Sequence, residues 1–222
     1  MAIISLTQRG HILQSDERRE TMPGENWKIL KSELVIEHPH VEVAMEKVSL
    51  PDGRVISDWP IVNVHDYVNA VVFDDMGRAL ILEGYKHGAR RSTWQVVGGY
   101  LQPGEDPLAT AQRELLQAAG YESDEWRYLG SFVTEANRHV GIGHFFLCMN
   151  VRRVAVPHPD DLELYSLRWV SLQELRYALM DGRINIINYA MAISLGMMAL
   201  HKLSQNRTLA YIAAHRNSFG SR

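Results

Sequence analysis

The chain has 222 residues, and its 23 Lys and Arg against 26 Asp and Glu give a formal net charge of −3 at pH 7. This length allows one sizeable hydrophobic core, or a main domain with a small appendage. The sequence contains no strongly basic run, so a nucleic-acid-binding surface has no electrostatic support and we expect no nucleic-acid partner.

The N-terminal part of the chain divides into a polar arm and a strand-rich segment. Residues 1–26 are polar and unpatterned, and their opening apolar run is too short for a secretory signal. Residues 27–65 contain alternating valines at Val41 and Val43 and a turn signal at Pro51-Asp52-Gly53. The pattern predicts a small antiparallel strand subdomain over residues 27–65.

The main domain is predicted over residues 66–203. Asp74 and Gly77 bracket a turn signal, so the strands on its two sides are expected to pair as a hairpin. Strands are predicted at residues 67–73, 79–85, 94–97, 126–133, 143–150 and 167–170. Ser171 and Glu174 have the spacing of a capping box, which predicts a helix from there to about residue 180.

A last helix is predicted over residues 186–203, followed by a tail at 204–222. Asn188 and Ser194 interrupt its apolar run, so we interpret it as a buried helix rather than a membrane span, and we expect no membrane partner. The single cysteine, Cys148, lies in an apolar run and cannot form an internal disulfide. A lone buried cysteine suits a reducing compartment, and we expect the protein to be cytoplasmic.

Residues 98–121, with the sequence GGYLQPGEDPLATAQRELLQAAGY, contain the strongest pattern in the chain. Asp106 is placed to cap a helix, Pro107 suits its first turn and Gly120 suits the position after its end. One side of this helix carries the apolar stripe Leu108, Ala111, Leu115 and Ala119. Residues three and four apart are neighbours on a helix, so a second side carries Glu114, Gln117 and Ala118.

This stretch resembles the Nudix box, whose pattern is G-x5-E-x7-R-E-U-x-E-E-x-G-U with U apolar. Gly99, Glu105 and Arg113-Glu114 match the pattern at its spacing. The flanking runs WKILKSELVIEHPHVEVAMEKVSLPDG, YVNAVVFDDMGRALILEGYKHG and WQVVGG resemble the ADP-ribose pyrophosphatase branch of the family. The resemblance covers roughly residues 27–180. It implies an α/β fold, the Nudix α/β/α sandwich with a mixed sheet, and a homodimer formed by exchange of the N-terminal strands.

The box departs from the family pattern at the metal-binding face. Family members hydrolyse a nucleoside diphosphate linked to another group, using Mg²⁺ or Mn²⁺ held by three carboxylates at i, i+3 and i+4. Here Glu114 is followed by Gln117 and Ala118, so the face carries one charge. The resemblance adds the main-chain carbonyl of Gly98 as a metal ligand, beside Glu114 and the amide oxygen of Gln117. The expected site is weakened, and its ion is carried partly by the phosphates of the substrate.

The resemblance also implies roles for residues outside the metal-binding face. Glu105 and Arg113 would orient the loop and the helix through charge pairing, either as a structural pair or as part of the catalytic machinery. The catalytic carboxylate outside the box would be Glu163, with Asp160 and Asp161 as neighbours on the same segment. Substrate-binding roles fall on Trp59, Lys86, Glu135 and Arg138. An indole offers a face for base stacking, and Lys and Arg offer cations to a diphosphate.

Two functions of different classes follow from these observations. The spacing of the box, with Arg113-Glu114 present, indicates a hydrolase of ADP-ribose or a similar nucleotide sugar. The pair Gln117-Ala118 removes two charges from the face that requires them, and indicates a Nudix fold that binds a nucleotide or a protein without turnover. The sequence leaves both open.

Overall fold

The computed structural model describes residues 26–158 and 164–215, and of residues 206–215 it describes the backbone alone. The predicted N-terminal arm lies outside the described residues except for its last residue. The described residues divide into two compact units, residues 26–37 with Val43–Ile61, and His38–Glu42 with residues 62–158 and 164–215.

From residue 26 onward, the N-terminal unit and the segments that adjoin it contain three strands. They are β1 Lys28–His38, β2 Val41–Ser49 and β3 Val55–Asn63, and they are neighbours in that order. The predicted turn is present between β2 and β3, where the Leu50 amide donates to the Arg54 carbonyl at 2.8 Å. Gly53 has φ 86°, a left-handed conformation that suits glycine. Connections this short join antiparallel strands, as predicted.

Nine strands lie in the described part of the second unit. They are β4 Tyr67–Val72, β5 Ala79–Lys86, β6 Arg91–Gln95, β7 Val97–Tyr100, β8 Tyr121–Glu122, β9 Glu125–Glu135, β10 His139–Met149, β11 Arg152–Arg153 and β12 Tyr165–Val170. β10 pairs parallel with β4 and antiparallel with β9, while β7 pairs antiparallel with β4. The sheet is therefore mixed. β12, β5 and β6 form a second, antiparallel sheet, and β8 pairs with β11.

The prediction that β4 and β5 pair as a hairpin is wrong. The turn itself forms, because the Asp74 carboxylate accepts from the Arg78 amide at 2.7 Å and the Gly77 amide donates to the Asp74 carbonyl at 3.1 Å. The described ladder between the strands is one bridge, Phe73 to Ala79. Beyond it the strands separate into different sheets, so that both faces of each can be covered by apolar side chains.

Among the residues described in the second unit, three α-helices accompany these strands: α1 Pro107–Ala119, α2 Leu172–Met180 and α3 Ile187–His215. The predicted caps of α1 are present, since Asp106 Oδ1 accepts from the amides of Leu108 and Ala109, and Gly120 has φ 73°. The Ser171 hydroxyl accepts from the Glu174 amide at 3.1 Å, as the capping box predicts. The predicted end of the last helix at residue 203 is wrong, because α3 continues to its end at 215.

The helices cover two hydrophobic cores. Alternate residues of β4, β5 and β10 point to opposite faces, as the two-residue period of a strand requires. One core packs under α1 and includes Val68, Leu80, Leu115, Phe146 and Cys148. The other packs under α2 and α3 and includes Val71, Ile81, Phe145, Leu175 and Ile193. The observed architecture is the predicted α/β/α sandwich.

Cys148 is fully buried on β10, in agreement with its apolar sequence context. Burial raises the pKa of its thiol to about 12, so the thiol stays protonated at neutral pH and is a poor nucleophile. Over the residues that the structure describes, none of the helices is long and apolar enough to cross a membrane.

Candidate functional site

The glycine-rich end of β7 allows two close contacts next to α1. A Cβ atom at Gly99 would collide with the carboxylate of Glu114, and a Cβ atom at Gly98 would collide with the amide of Asn69 and the carbonyl of Val68. Both positions therefore require glycine, because only glycine leaves room for these side chains. The loop therefore packs against Glu114, the one glutamate of α1, and against Asn69 of β4.

Arg113 and Glu105 form a bidentate ion pair that joins the loop to α1. Arg113 Nε donates to Glu105 Oε1 at 2.8 Å, and Nη2 donates to Oε2 at 3.0 Å. The Gln102 amide donates to the same carboxylate at 3.0 Å. These bonds, Arg113 first, lower the pKa of Glu105 to about 2. The carboxylate is ionised at neutral pH and fully engaged in holding the loop, which favours the structural alternative for this pair.

The same guanidinium reaches the face of α1 where metal ligands are expected. Arg113 Nη1 donates to Glu114 Oε1 at 2.7 Å and to Gln117 Oε1 at 3.1 Å. Ala118 offers a methyl group, and its carbonyl accepts from the Tyr165 hydroxyl at 3.1 Å. The two side-chain oxygens predicted as metal ligands therefore share one cationic donor, and the third position provides no side-chain oxygen.

The donor set limits which ions can bind. Among the side chains that the structure describes, in residues 26–158 and 164–205, no group of three or more His, Cys, Asp or Glu is placed to hold a metal ion. The predicted ligands at the loop and the helix are the Glu114 carboxylate, the Gln117 amide oxygen and the Gly98 carbonyl, and all three residues line one cleft. This set fits a single hard cation that completes its coordination with substrate phosphates and water.

A cleft of about 610 Å³ opens over this loop. Its volume is typical of small-molecule sites. The structure brings five of the predicted site residues together at its wall: Gly98, Arg113, Glu114 and Gln117 from the box, and Lys86 from the end of β5. The cleft thus combines a cation, a carboxylate and exposed main-chain groups, which is the chemistry that a bound diphosphate and its metal ion require.

Other predicted site residues are not placed at the cleft wall. Glu135 and Arg138 flank the turn between β9 and β10, and the described lining of the cleft comes from their neighbours Thr134 and Val140 instead. The Glu135 carboxylate accepts from the Asn137 amide at 3.0 Å, and this bond lowers the pKa of Glu135. The role predicted for Glu135 and Arg138 in substrate binding stays a prediction.

The remaining predicted residues lie in other parts of the chain. Trp59 belongs to the N-terminal unit, where its ring meets that of Trp27 edge-on with centroids 5.1 Å apart. Glu163 lies outside the described residues, together with Asp160 and Asp161. Their predicted roles in stacking and in catalysis are untested.

Sequence reasoning missed several residues that line the cleft. Asn69 of β4 is only 3% exposed, and Gln95 of β6 is equally buried. Ile187–Tyr189 bring the first turn of α3 to the wall, and Val140 contributes with φ 53°, which is unusual for a β-branched residue. A polar residue inside the apolar run YVNAVVF was the one available signal for Asn69.

Comparison with known proteins places these features in a family. A family model described as the NUDIX domain matches residues 63–189. The chain is 27% identical over 158 residues to a methanol dehydrogenase activator of Bacillus methanolicus, covering 71% of this chain and 85% of the relative. It is 26% identical over 162 residues to an ADP-ribose pyrophosphatase of Mycobacterium tuberculosis, covering 72% and 75%. A solved structure of an ADP compounds hydrolase superposes with a TM-score of 0.69 at 16% identity, over 80% of this chain and 95% of that one; this likeness concerns the fold alone.

Proposed function

The chain belongs to the Nudix family, and from that premise we propose that it hydrolyses a nucleoside diphosphate linked to another group, with ADP-ribose or a similar nucleotide sugar as the substrate. The observation that carries the proposal is the cleft, where Lys86, Glu114 and the Gly98–Gly99 backbone share one wall. The relative described as an ADP-ribose pyrophosphatase supports the choice of substrate. The proposed turnover is slow, because the metal-binding face carries one carboxylate.

Four side chains and one main-chain carbonyl at the cleft wall have a proposed role in binding the metal ion and the diphosphate. A bound Mg²⁺ or Mn²⁺ ion would polarise the phosphoryl oxygens and activate water. Glu114, the Gln117 amide oxygen and the Gly98 carbonyl are the groups that would hold it. Lys86 offers a cation to the diphosphate, and Arg113 keeps the Glu114 carboxylate in position through its 2.7 Å bond.

Residues away from the box complete the proposal. Glu163, or Asp160 or Asp161 beside it, would position the attacking water as a general base. Trp59 would stack on the base of the nucleotide, and Glu135 and Arg138 would contact the substrate. These assignments rest on the family resemblance of their sequence positions.

A second candidate function is a Nudix fold that binds a nucleotide or a protein without turnover. The observation that favours it is the contact of Arg113 Nη1 with both Glu114 and Gln117. A guanidinium on these oxygens lowers the negative potential that attracts a divalent cation. The missing oxygen at Ala118 weakens the site further.

Replacing Glu114 by Gln distinguishes these functions. We expect the unaltered protein to release product slowly from ADP-ribose with Mg²⁺ or Mn²⁺, and E114Q to be about 100-fold slower because it loses the one carboxylate on the face. The measurement is the rate of product release over a panel of nucleoside diphosphate compounds. Glu122→Gln, an exposed carboxylate paired with Arg152, is the matched control. Equal rates for E114Q and the control contradict the assigned metal site. Binding of ADP-ribose without turnover by the unaltered protein supports the second function.

We also propose a homodimer formed through the N-terminal strands. All eleven residues of β1 are exposed, including the large apolar side chains Ile29, Leu30, Leu34, Val35 and Ile36. An exposed apolar strand is a favourable surface for a second chain. Sedimentation should give twice the monomer mass, and Leu34→Lys with Ile36→Lys should shift it toward the monomer; a monomeric unaltered protein contradicts the proposal.

The proposed location is the cytoplasm, which cell fractionation tests.

A further inference from the structure

Three consecutive residues at the start of β10 have backbone φ angles in the left-handed region. His139 has φ 71°, Val140 has φ 53° and Gly141 has φ 76°. Glycine adopts these angles without strain, whereas a β-branched side chain comes too close to its own backbone there. Valine persists in such a conformation only where the surrounding structure imposes it, and conformations of this kind cluster at functional sites.

Main-chain bonds on both sides impose the conformation of this left-handed segment, residues 139–141. The Val62 amide donates to the Arg138 carbonyl at 2.9 Å, and the Ile142 amide donates to Asp66 Oδ1 at 2.8 Å. The chain before and after the segment is therefore fixed to the stretch that leads from β3 into β4. Glycine in place of valine could keep the same bonds, so the fold does not require valine at this position.

Val140 lies at the wall of the cleft. β9 and β10 pair at Glu135 and His139, so Thr134 and Val140 occupy neighbouring positions of the hairpin, and both line the cleft. Thr134 Oγ1 donates to the hydroxyl of Tyr67, another lining residue, at 3.2 Å. Val140 therefore belongs to the same part of the wall as the phenol of Tyr67.

The ring of Tyr67 is held in place by its neighbours. It meets the ring of Phe145 edge-on with centroids 6.4 Å apart, and a Cβ atom at Gly143 would collide with the phenol. A wall with an aliphatic side chain and a fixed aromatic ring suits a planar apolar surface. In a nucleoside diphosphate derivative the base has such a surface, whereas the phosphates and the sugar hydroxyls are polar.

We propose that the left-handed segment holds Val140 against the face of the base of the substrate, and that Val140 is a specificity-determining residue. The unfavourable conformation of valine is tolerated because its side chain contacts the ligand. The inference rests on the proposed function, and it concerns the nucleoside part of the substrate rather than the metal-binding face. It predicts that replacing Val140 by glycine weakens binding without loss of stability.

The test compares Val140→Gly with two matched variants, by thermal unfolding and by calorimetric titration of ADP-ribose and of ADP. The titrations contain no added divalent ion, so that ADP-ribose stays intact. Val133→Gly removes a valine of β9 that is 54% exposed and lies outside both the cleft lining and the left-handed segment. His139→Gly gives the segment the same backbone freedom and leaves Val140 in place.

The Tm of V140G should equal or exceed that of the unaltered protein, because glycine relieves the strain. Its Kd for ADP-ribose and its Kd for ADP should each rise about tenfold, because both ligands carry the base that loses its apolar contact. V133G should lower the Tm by several degrees, and H139G should not lower it. Both of these variants should leave the two Kd values within about twofold.

A fall in Tm for V140G as large as that for V133G overturns the inference, because it shows that the valine is not strained. Unchanged Kd values in V140G also overturn it and leave the proposed function intact. A loss confined to ADP-ribose overturns the contact with the base, since ADP carries the same base. An equal loss in H139G assigns the effect to backbone freedom and overturns the role of the Val140 side chain. If the unaltered protein binds neither ligand, the proposed function is wrong and the inference is overturned with it.

Discussion

Replacing Gln117 and Ala118 together by glutamate should raise the rate of metal-dependent diphosphate hydrolysis by at least about 100-fold. The double variant places three carboxylates at i, i+3 and i+4 on α1, beside the Gly98 carbonyl and on the wall of the cleft. Added negative charge strengthens the binding of divalent cations, which activate water and stabilise the transition state. The measurement is kcat and KM for ADP-ribose at a series of Mg²⁺ and Mn²⁺ concentrations.

The controls for this variant separate the metal site from general effects. Glu114→Gln in the restored background should abolish most of the gain, because the cluster acts as a unit. Gln112→Glu, on the exposed side of the same helix, adds a carboxylate away from the cleft and should leave the rate within about twofold. If the unaltered protein already hydrolyses ADP-ribose as fast as the double variant, other carboxylates hold the metal and our interpretation of α1 is wrong.

The sequence predicted α1 well because its signals are local. Asp106, Pro107 and Gly120 act within one turn of the helix ends, so their effect does not depend on the rest of the fold. The same reasoning should have extended α3. No glycine or proline follows residue 203 until Gly220, so the sequence lacked a stop signal where we placed the end of the helix.

The sequence could not predict the parts of the structure that depend on pairing between strands far apart in the chain. The turn at Asp74 is local and was predicted, whereas the separation of β4 from β5 depends on which strands cover each face. At the site, the box spacing identified Glu114 and Gln117, but it did not show that Arg113 contacts both. Asn69 was missed because the sequence does not show that this polar residue of a buried strand lines a cleft.

Arg113→Met should lower the free energy of unfolding by about 2 kcal/mol at pH 7. The Arg113 side chain is 28% exposed, and it pairs with two carboxylates that are each 18% exposed. Removing the guanidinium leaves Glu105 and Glu114 without their common cation, and it opens the link between the loop and α1. Methionine keeps much of the aliphatic stem, so the loss reports the charged bonds rather than the packing.

The pH dependence of the stability lost in R113M shows which interaction was responsible for that stability. Hydrogen bonds from Arg113 first, and then from the Gln102 amide, lower the pKa of Glu105 from an ordinary 4.5 to about 2. A carboxyl group whose pKa is lowered by folding stabilises the folded state above its unfolded pKa, and this stabilisation disappears as the pH falls through the folded pKa. The difference between the unaltered protein and R113M should therefore shrink as the pH falls from about 4.5 to about 2.

Urea unfolding at pH 7, 4 and 3 measures this difference directly. Arg152→Met removes an ion pair with Glu122 whose side chains are 59% and 46% exposed, so it should cost much less stability than R113M at each of these pH values. If the difference in unfolding free energy between R113M and the unaltered protein stays constant from pH 7 to pH 3, the lost stability comes from packing. In that case the ion pair with Glu105 does not hold the loop against α1, and the alignment of Glu114 must have another cause.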